Sequence, residues 1–218
     1  MPEVLATSYN FKVDPTRNVH KVLVLFWLAG LSHPVICVDP SAEMLQIAKS
    51  RDGLTPCLTT ADNFLTTATN DLPKCKKILI NESAHLFPDP QATFIKAHEY
   101  LSGSDGLLVV IVRATKSTFP MWRSLRDKFA PVSEDEFRVY LEKAGFNVRM
   151  SSEVSTTEMT KLDWYDRLRK RVFSTLYEFS DDQIEEGLAE LDQEWFPGKV
   201  ESDMVEIRDS LVFYIATP

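Results

Sequence analysis

Asp39 is the residue whose setting most directly suggests chemistry. It ends the apolar run Val35-Ile36-Cys37-Val38 and is followed by Pro40-Ser41-Ala42-Glu43-Met44-Leu45. An acid at the C-terminal tip of a buried parallel strand can accept hydrogen bonds from both hydroxyls of a nucleotide ribose. The same carboxylate can instead cap the helix that follows, a task equally open to Ser41. A second acid, Glu82, lies just past Lys77-Ile78-Leu79-Ile80-Asn81, with His85 three residues further on. An imidazole in that place can orient a substrate carboxylate or take a proton from a nucleophile. It can also be a partly buried histidine bonded to a backbone carbonyl. Glu82 beside it faces either a cavity or solvent. His20, His33 and His98 have no comparable setting.

These residues need a scaffold, and the pattern supplies one. Val35–Val38, Thr55–Thr60, Lys77–Asn81 and Gly106–Arg113 read as strands, most of them continuously apolar. Helical patterns at Ser41–Ser50 and Pro90–Leu101 alternate with them, which predicts a parallel sheet covered on both faces. Ser133 and Glu136 have capping-box spacing for a helix that ends at Gly145, and Phe146–Val154 follows as a strand. A helix over Thr160–Phe179 and a second from Ser180 precede a last strand, Ser210–Ala216. The spacing of Leu162, Tyr165, Leu168, Val172, Phe173 and Leu176 gives the first of these helices one apolar face.

Composition narrows the classes. The chain has 218 residues, 24 basic against 32 acidic, 44% hydrophobic, for a net charge of −8. That suits one α/β domain and argues against a nucleic-acid binder, whose phosphate contacts need a basic face. The deficit sits in residues 151–218, with 7 basic and 16 acidic side chains, as expected of solvated helix faces. Cys37, Cys57 and Cys75 are odd in number with no C-x-x-C spacing, so they read as core residues in a reducing compartment, and no metal is called for. Met1–Lys21 lacks a signal-peptide core and Val22–Ala29 is about half a membrane span. The expectation is a soluble cytoplasmic protein with a small-molecule substrate and no membrane or nucleic-acid partner.

The string Val35–Leu45 resembles the second-strand segment of class I S-adenosylmethionine-dependent methyltransferases, and the likeness extends over about residues 35–154. It implies a Rossmann-like α/β sheet, mostly parallel with an antiparallel last strand, and a helical insertion at 155–208. It implies S-adenosylmethionine as cofactor, with Asp39 on the ribose and Pro40, Ser41 and Met44 along the adenine. Asp62 takes the place of the acid that accepts from the adenine amino group, with Asn63 beside it; on its own that pair reads as a turn. Asn81 would lie near the methionine moiety, and His85 and Glu82 near the substrate. Trp164, Tyr165, Arg167, Arg169 and Arg171 of the insertion would line the substrate pocket, although aromatics at helical spacing are more often core.

One departure weakens the likeness. The family holds its cofactor on a Gly-rich loop after the first strand, and here only Gly30 precedes Asp39. Val22–Trp27 can be that strand with a shortened turn, or Val19–Leu31 can be the first helix with strand and loop absent. The spacing to Asp39 favours the helix, and with it a domain shortened at its N-terminus. A non-catalytic binding or regulatory protein on the same scaffold is the alternative; a nicotinamide-dependent oxidoreductase is a third.

Overall fold

The computed structural model describes residues 3–7, 35–49, 53–67, 72–114, 119–128 and 133–218. Seven strands form one sheet: β1 (Glu3–Thr7), β2 (Val35–Asp39), β3 (Leu54–Leu58), β4 (Lys77–Asn81), β5 (Leu107–Arg113), β6 (Asn147–Thr160) and β7 (Met204–Thr217). Their spatial order is β3-β2-β1-β4-β5-β7-β6. The first five run parallel, and β7 is antiparallel to both β5 and β6.

The apolar runs sort by alternation. Val38, Ile78, Ile80, Leu108, Val110 and Val112 face one way. They pack on α2 (Ala61–Thr67), α3 (Pro90–Tyr100) and α5 (Glu134–Lys143) through Phe64, Phe94, Tyr100, Phe137 and Leu141. Val35, Cys37, Leu79 and Ile111 face the other way, with Leu45 of α1 (Ala42–Lys49). Helix α5 starts and stops as its sequence demands. Ser133 Oγ accepts from the Glu136 N–H, and Gly145, at φ 98°, turns the chain so that the Phe146 N–H reaches the Leu141 carbonyl. The Glu136 carboxylate does not reach back to the cap; it accepts from the Tyr140 hydroxyl instead.

The first strand corrects the sequence reading. It is neither Val22–Trp27 nor missing: Glu3–Thr7 occupies the centre of the sheet, with Leu5 opposite both Cys37 and Leu79. Five residues with so few large apolar side chains carry little signal of their own, and ladders on both sides hold them. Val19–Leu31 lies outside the described residues.

Strands β6 and β7 are longer than expected, paired without interruption from Asn147↔Thr217 to Thr160↔Met204. The extra length is a period-two pattern in which Val205 and Ile207 are buried while Glu206 and Arg208 are exposed. These outer halves carry a helical lobe of α4 (Arg123–Lys128), α6 (Lys161–Arg169) and α7 (Asp181–Glu194) around Trp122, Trp164, Phe173 and Leu191. The single helix expected over Thr160–Phe179 stops at Arg169, and Arg171 takes a left-handed φ of 52°. Helix α7 opens on a reciprocal capping box between Ser180 and Gln183. Cys37 and Cys75 are buried and Cys57 half-buried, all three as free thiols.

Gly187 fixes how α7 meets α4. A Cβ built on it would lie 2.3 Å from Cδ2 of the buried Trp122 indole, so the ring lies flush on the helix backbone. Gly187→Ala is expected to destabilise the protein by about 1–3 kcal/mol, overpacking outweighing the roughly 1 kcal/mol that alanine gains in a helix. Urea unfolding followed by far-UV circular dichroism checks it.

Candidate functional site

The C-terminal tips of the parallel strands bring the candidate residues to one edge. Ala6 of β1 is paired with both Val38 and Ile80, so the tips ending in Asp39 and Asn81 flank the tip of β1. Asp39 is 1% exposed, and its Oδ1 accepts from the Ser41 N–H at 2.7 Å. Ser41 Oγ in turn accepts from the Met44 N–H at 3.3 Å. The capping task therefore falls to Ser41, while Asp39 fixes the turn between strand and helix. Pro40 is exposed, and Ser41 and Met44 are half-buried on the first turn of α1. Asp62 is half-buried at the start of α2; the exposed Asn63 donates from Nδ2 to Thr59 Oγ1 at 2.8 Å. Asn81 is buried, and Ser83 Oγ, also buried, has no hydrogen-bond partner among the described residues.

Glu82 does not face solvent. It is 2% exposed, at φ 47°, with its N–H donating to the Ile111 carbonyl at 2.7 Å. That left-handed turn aims its carboxylate at Arg113, whose Nη2 lies 3.2 and 3.3 Å from its two oxygens. Arg113 ends β5 and also makes a two-point fork to Asp209 of β7, Nε to Oδ1 at 2.9 Å and Nη2 to Oδ2 at 3.2 Å. Its guanidinium lies 5.0 Å from the Phe119 ring and 5.6 Å from the Phe173 ring. One cation is thus shared by two carboxylates and closed in by two aromatic faces. His85 is exposed on the short turn Ala84–Leu86 just beyond.

Arg113 and Asp209 escaped the sequence reading. The signal was a charge at the tip of Leu107-Leu108-Val109-Val110-Ile111-Val112, the same setting that singles out Asp39. A long cation in such a place ordinarily reaches solvent, and Phe173, which covers it, lies sixty residues away along the chain. The insertion residues go the other way. Trp164 and Tyr165 are core of the helical lobe, Arg169 pairs with Glu185, and Arg171 holds the Phe179 carbonyl and Asp181. A cavity of about 320 Å³ on the lobe is lined by Pro120, Trp195, Phe196 and Lys199, with Glu158 of β6 and Met204, Val205 and Glu206 at the start of β7.

Five parallel strands ordered 3-2-1-4-5, closed by an antiparallel seventh beside the sixth, decide the architecture. The fold is that of the class I methyltransferases. The structure is similar to a provisional methyltransferase from Bacillus halodurans C-125, with TM-score 0.57 and 14% identity over 99% of this chain and 92% of that one. A provisional methyltransferase of an antibiotic biosynthesis pathway in Anabaena variabilis gives TM-score 0.59 and 17% identity over 97% and 90%. The [4+2]-cyclase SpnF gives 0.52 and 9% over 100% and 75%. No family model and no curated protein matches the sequence. Within the methyltransferase fold, the Glu82–Arg113–Asp209 cluster sits where the fourth and fifth strands end. Among the described residues no helix is long and apolar enough to cross a membrane.

The cluster sets the charge of the site. Burial pushes the Glu82 carboxyl from 4.5 up to about 7, although Arg113 pulls it down, and Asp209 adds to the rise. Burial works against the Arg113 charge, but the two carboxylates outweigh it and hold the guanidinium more basic than usual. His85 is shifted down, by desolvation first and then by Arg113. Between about pH 4.5 and 7 the folded protein binds a proton at Glu82 that the unfolded chain releases. Stability from this group is therefore present at low pH and lost as pH rises through that window. Glu82→Gln removes the dependence. The variant is expected to gain on the parent by a few kcal/mol between about pH 5 and pH 8; urea unfolding of both proteins across that range measures the gain.

Proposed function

We propose that the chain is an S-adenosylmethionine-dependent methyltransferase acting on a small-molecule acceptor. The observation that carries this reading is the Asp39 carboxylate, fixed by the Ser41 N–H at the tip of the strand beside the central one. The donor set fits the nucleoside half of such a cofactor. Asp39 would take the ribose hydroxyls and Asp62 the adenine amino group. Pro40, Ser41, Met44 and Asn63 would border the base. Asn81 and the unpartnered Ser83 hydroxyl would lie toward the methionine half. When bound, the cofactor supplies an electrophilic methyl group on a sulfonium.

The chain's own part in the reaction is positioning and proton control. Holding the acceptor in line is worth many kcal/mol of barrier without any covalent step. His85, placed just past the β4 tip and with its pKa lowered by desolvation and by Arg113, would accept the proton that an O–H or N–H nucleophile gives up. Glu82 is committed to Arg113, so its role is to hold that guanidinium and the electrostatics of the site rather than to touch substrate.

A second reading, a binding or regulatory protein that has lost the cofactor loop, is favoured by two observations. Gly30 is the sole glycine between β1 and β2, and Asp39 is almost fully covered. Calorimetric titration with S-adenosylhomocysteine separates the two. The enzyme reading expects a dissociation constant on the order of 1–100 µM that Asp39→Ala weakens at least about tenfold, the loss of a charged hydrogen-bond acceptor. His85→Asn should leave that constant unchanged. No heat at about 1 mM ligand, from folded protein, overturns methyl transfer and leaves the scaffold reading.

A further inference from the structure

Strand β6 forms one edge of the sheet and runs fourteen residues with unbroken register against β7. The hydrogen-bond parity of this edge is fixed. The Lys161 N–H donates to the Asp203 carbonyl at 2.9 Å, one step beyond the Thr160↔Met204 pair, so odd-numbered residues of β6 spend their backbone groups on β7. The other side of β7 agrees. The Ala114 N–H donates to the Ser210 carbonyl at 2.8 Å, so even-numbered residues of β7 serve β5 and odd-numbered ones serve β6. Val148, Met150, Ser152 and Val154 therefore direct their N–H and C=O groups outward, and no described strand pairs with them.

Natural edges are usually blunted by proline, lysine, bulges or short length. From Asn147 to Thr160 there is no Pro, Lys or Gly, and no bulge. Side chains add a second, independent pointer. Arg149 and Glu153 are both exposed, lie on the same face two steps apart on either side of Ser151, and make no ion pair among the described residues. Val154 is an apolar side chain left 64% exposed.

We propose that this edge binds a second copy of the chain, the two β6 strands pairing antiparallel about a two-fold axis at Ser151. With that register, Val148 meets Val154 of the second copy and Met150 meets Ser152, all through outward-pointing backbone groups. Arg149 then faces Glu153 of the second copy in the non-hydrogen-bonded position, where opposed side chains are closest. The symmetry makes both ion pairs at once. Shifting the register by two residues sets Arg149 against Ser151 or Ser155 and loses both. The exposed Val154 is covered by Val148 of the second copy. The buried area is that of one strand edge, so the dimer is a weak one, with a dissociation constant on the order of 10 µM.

Sedimentation equilibrium of the full chain from about 1 to 200 µM tests it. The parent is expected to dimerise across that range. Glu153→Arg, which sets arginine against Arg149, should weaken association at least about tenfold, and the double swap Arg149→Glu with Glu153→Arg should restore it to within about threefold. Ser152→Pro deletes an outward N–H while sparing the β7 ladder, and should leave a folded monomer. A parent that stays monomeric to about 200 µM overturns the proposal. So does a dimer whose constant neither Glu153→Arg nor the double swap changes.

Discussion

A single guanidinium ties the sheet to the lobe above it. Arg113 ends β5, its two acid partners come from the turn after β4 and from β7, and its two ring partners come from the segments before α4 and after α6. Burying a charge is costly unless its hydrogen-bonding capacity is met. Here the surplus of acid over base inside the cluster is relieved by Glu82 moving toward its neutral form near pH 7. The arrangement is thus less a source of stability than a device for geometry. It sets where the lobe stands over the strand tips, because Phe119 and Phe173 can close on the cation in few ways.

The fold was largely legible where strands are buried on both faces. Ile78–Ile80 and Leu108–Val112 have no polar alternation to confuse them, and Asp39 was visible because it ends such a run. Where the sequence misled, the ladder rather than the residue set the structure. Glu3–Thr7 is a strand because β2 and β4 flank it, and no property of those five residues requires it. The outer half of β7 was overlooked because Glu206, Arg208 and Asp209 suggest a solvated surface; one face of that segment is core and the other is not. Of the candidate site, the positions of Asp39 and Asn81 at their strand tips could be read in advance, whereas Asp62, expected in a loop, opens the helix α2. The pairing of Glu82 could not, since Arg113 and Asp209 reach it only through the sheet order.

Similar architectures serve different chemistry. One of the similar structures is a cyclase, so topology alone leaves the reaction open, and the weight falls on the residues at the strand tips. Those residues give a mixed message. Asp39 is an acid at a strand tip, held by the Ser41 N–H, yet the glycines that would let backbone amides close on a cofactor's other end are few. The balance rests on a covered carboxylate, and burial of that degree means that any nucleoside reaching it must displace the chain around it.

The two margins of the sheet are chemically unequal. At the far side, β3 is five residues long and carries Pro56, whose ring nitrogen has no hydrogen to offer a neighbour. Lateral growth from that margin is blocked, while the opposite margin is long and regular. Among the described strands, the proposed pairing therefore uses the one long margin in each of two molecules. It leaves outside only short, proline-bearing ones, a geometry that favours a closed pair over a fibre.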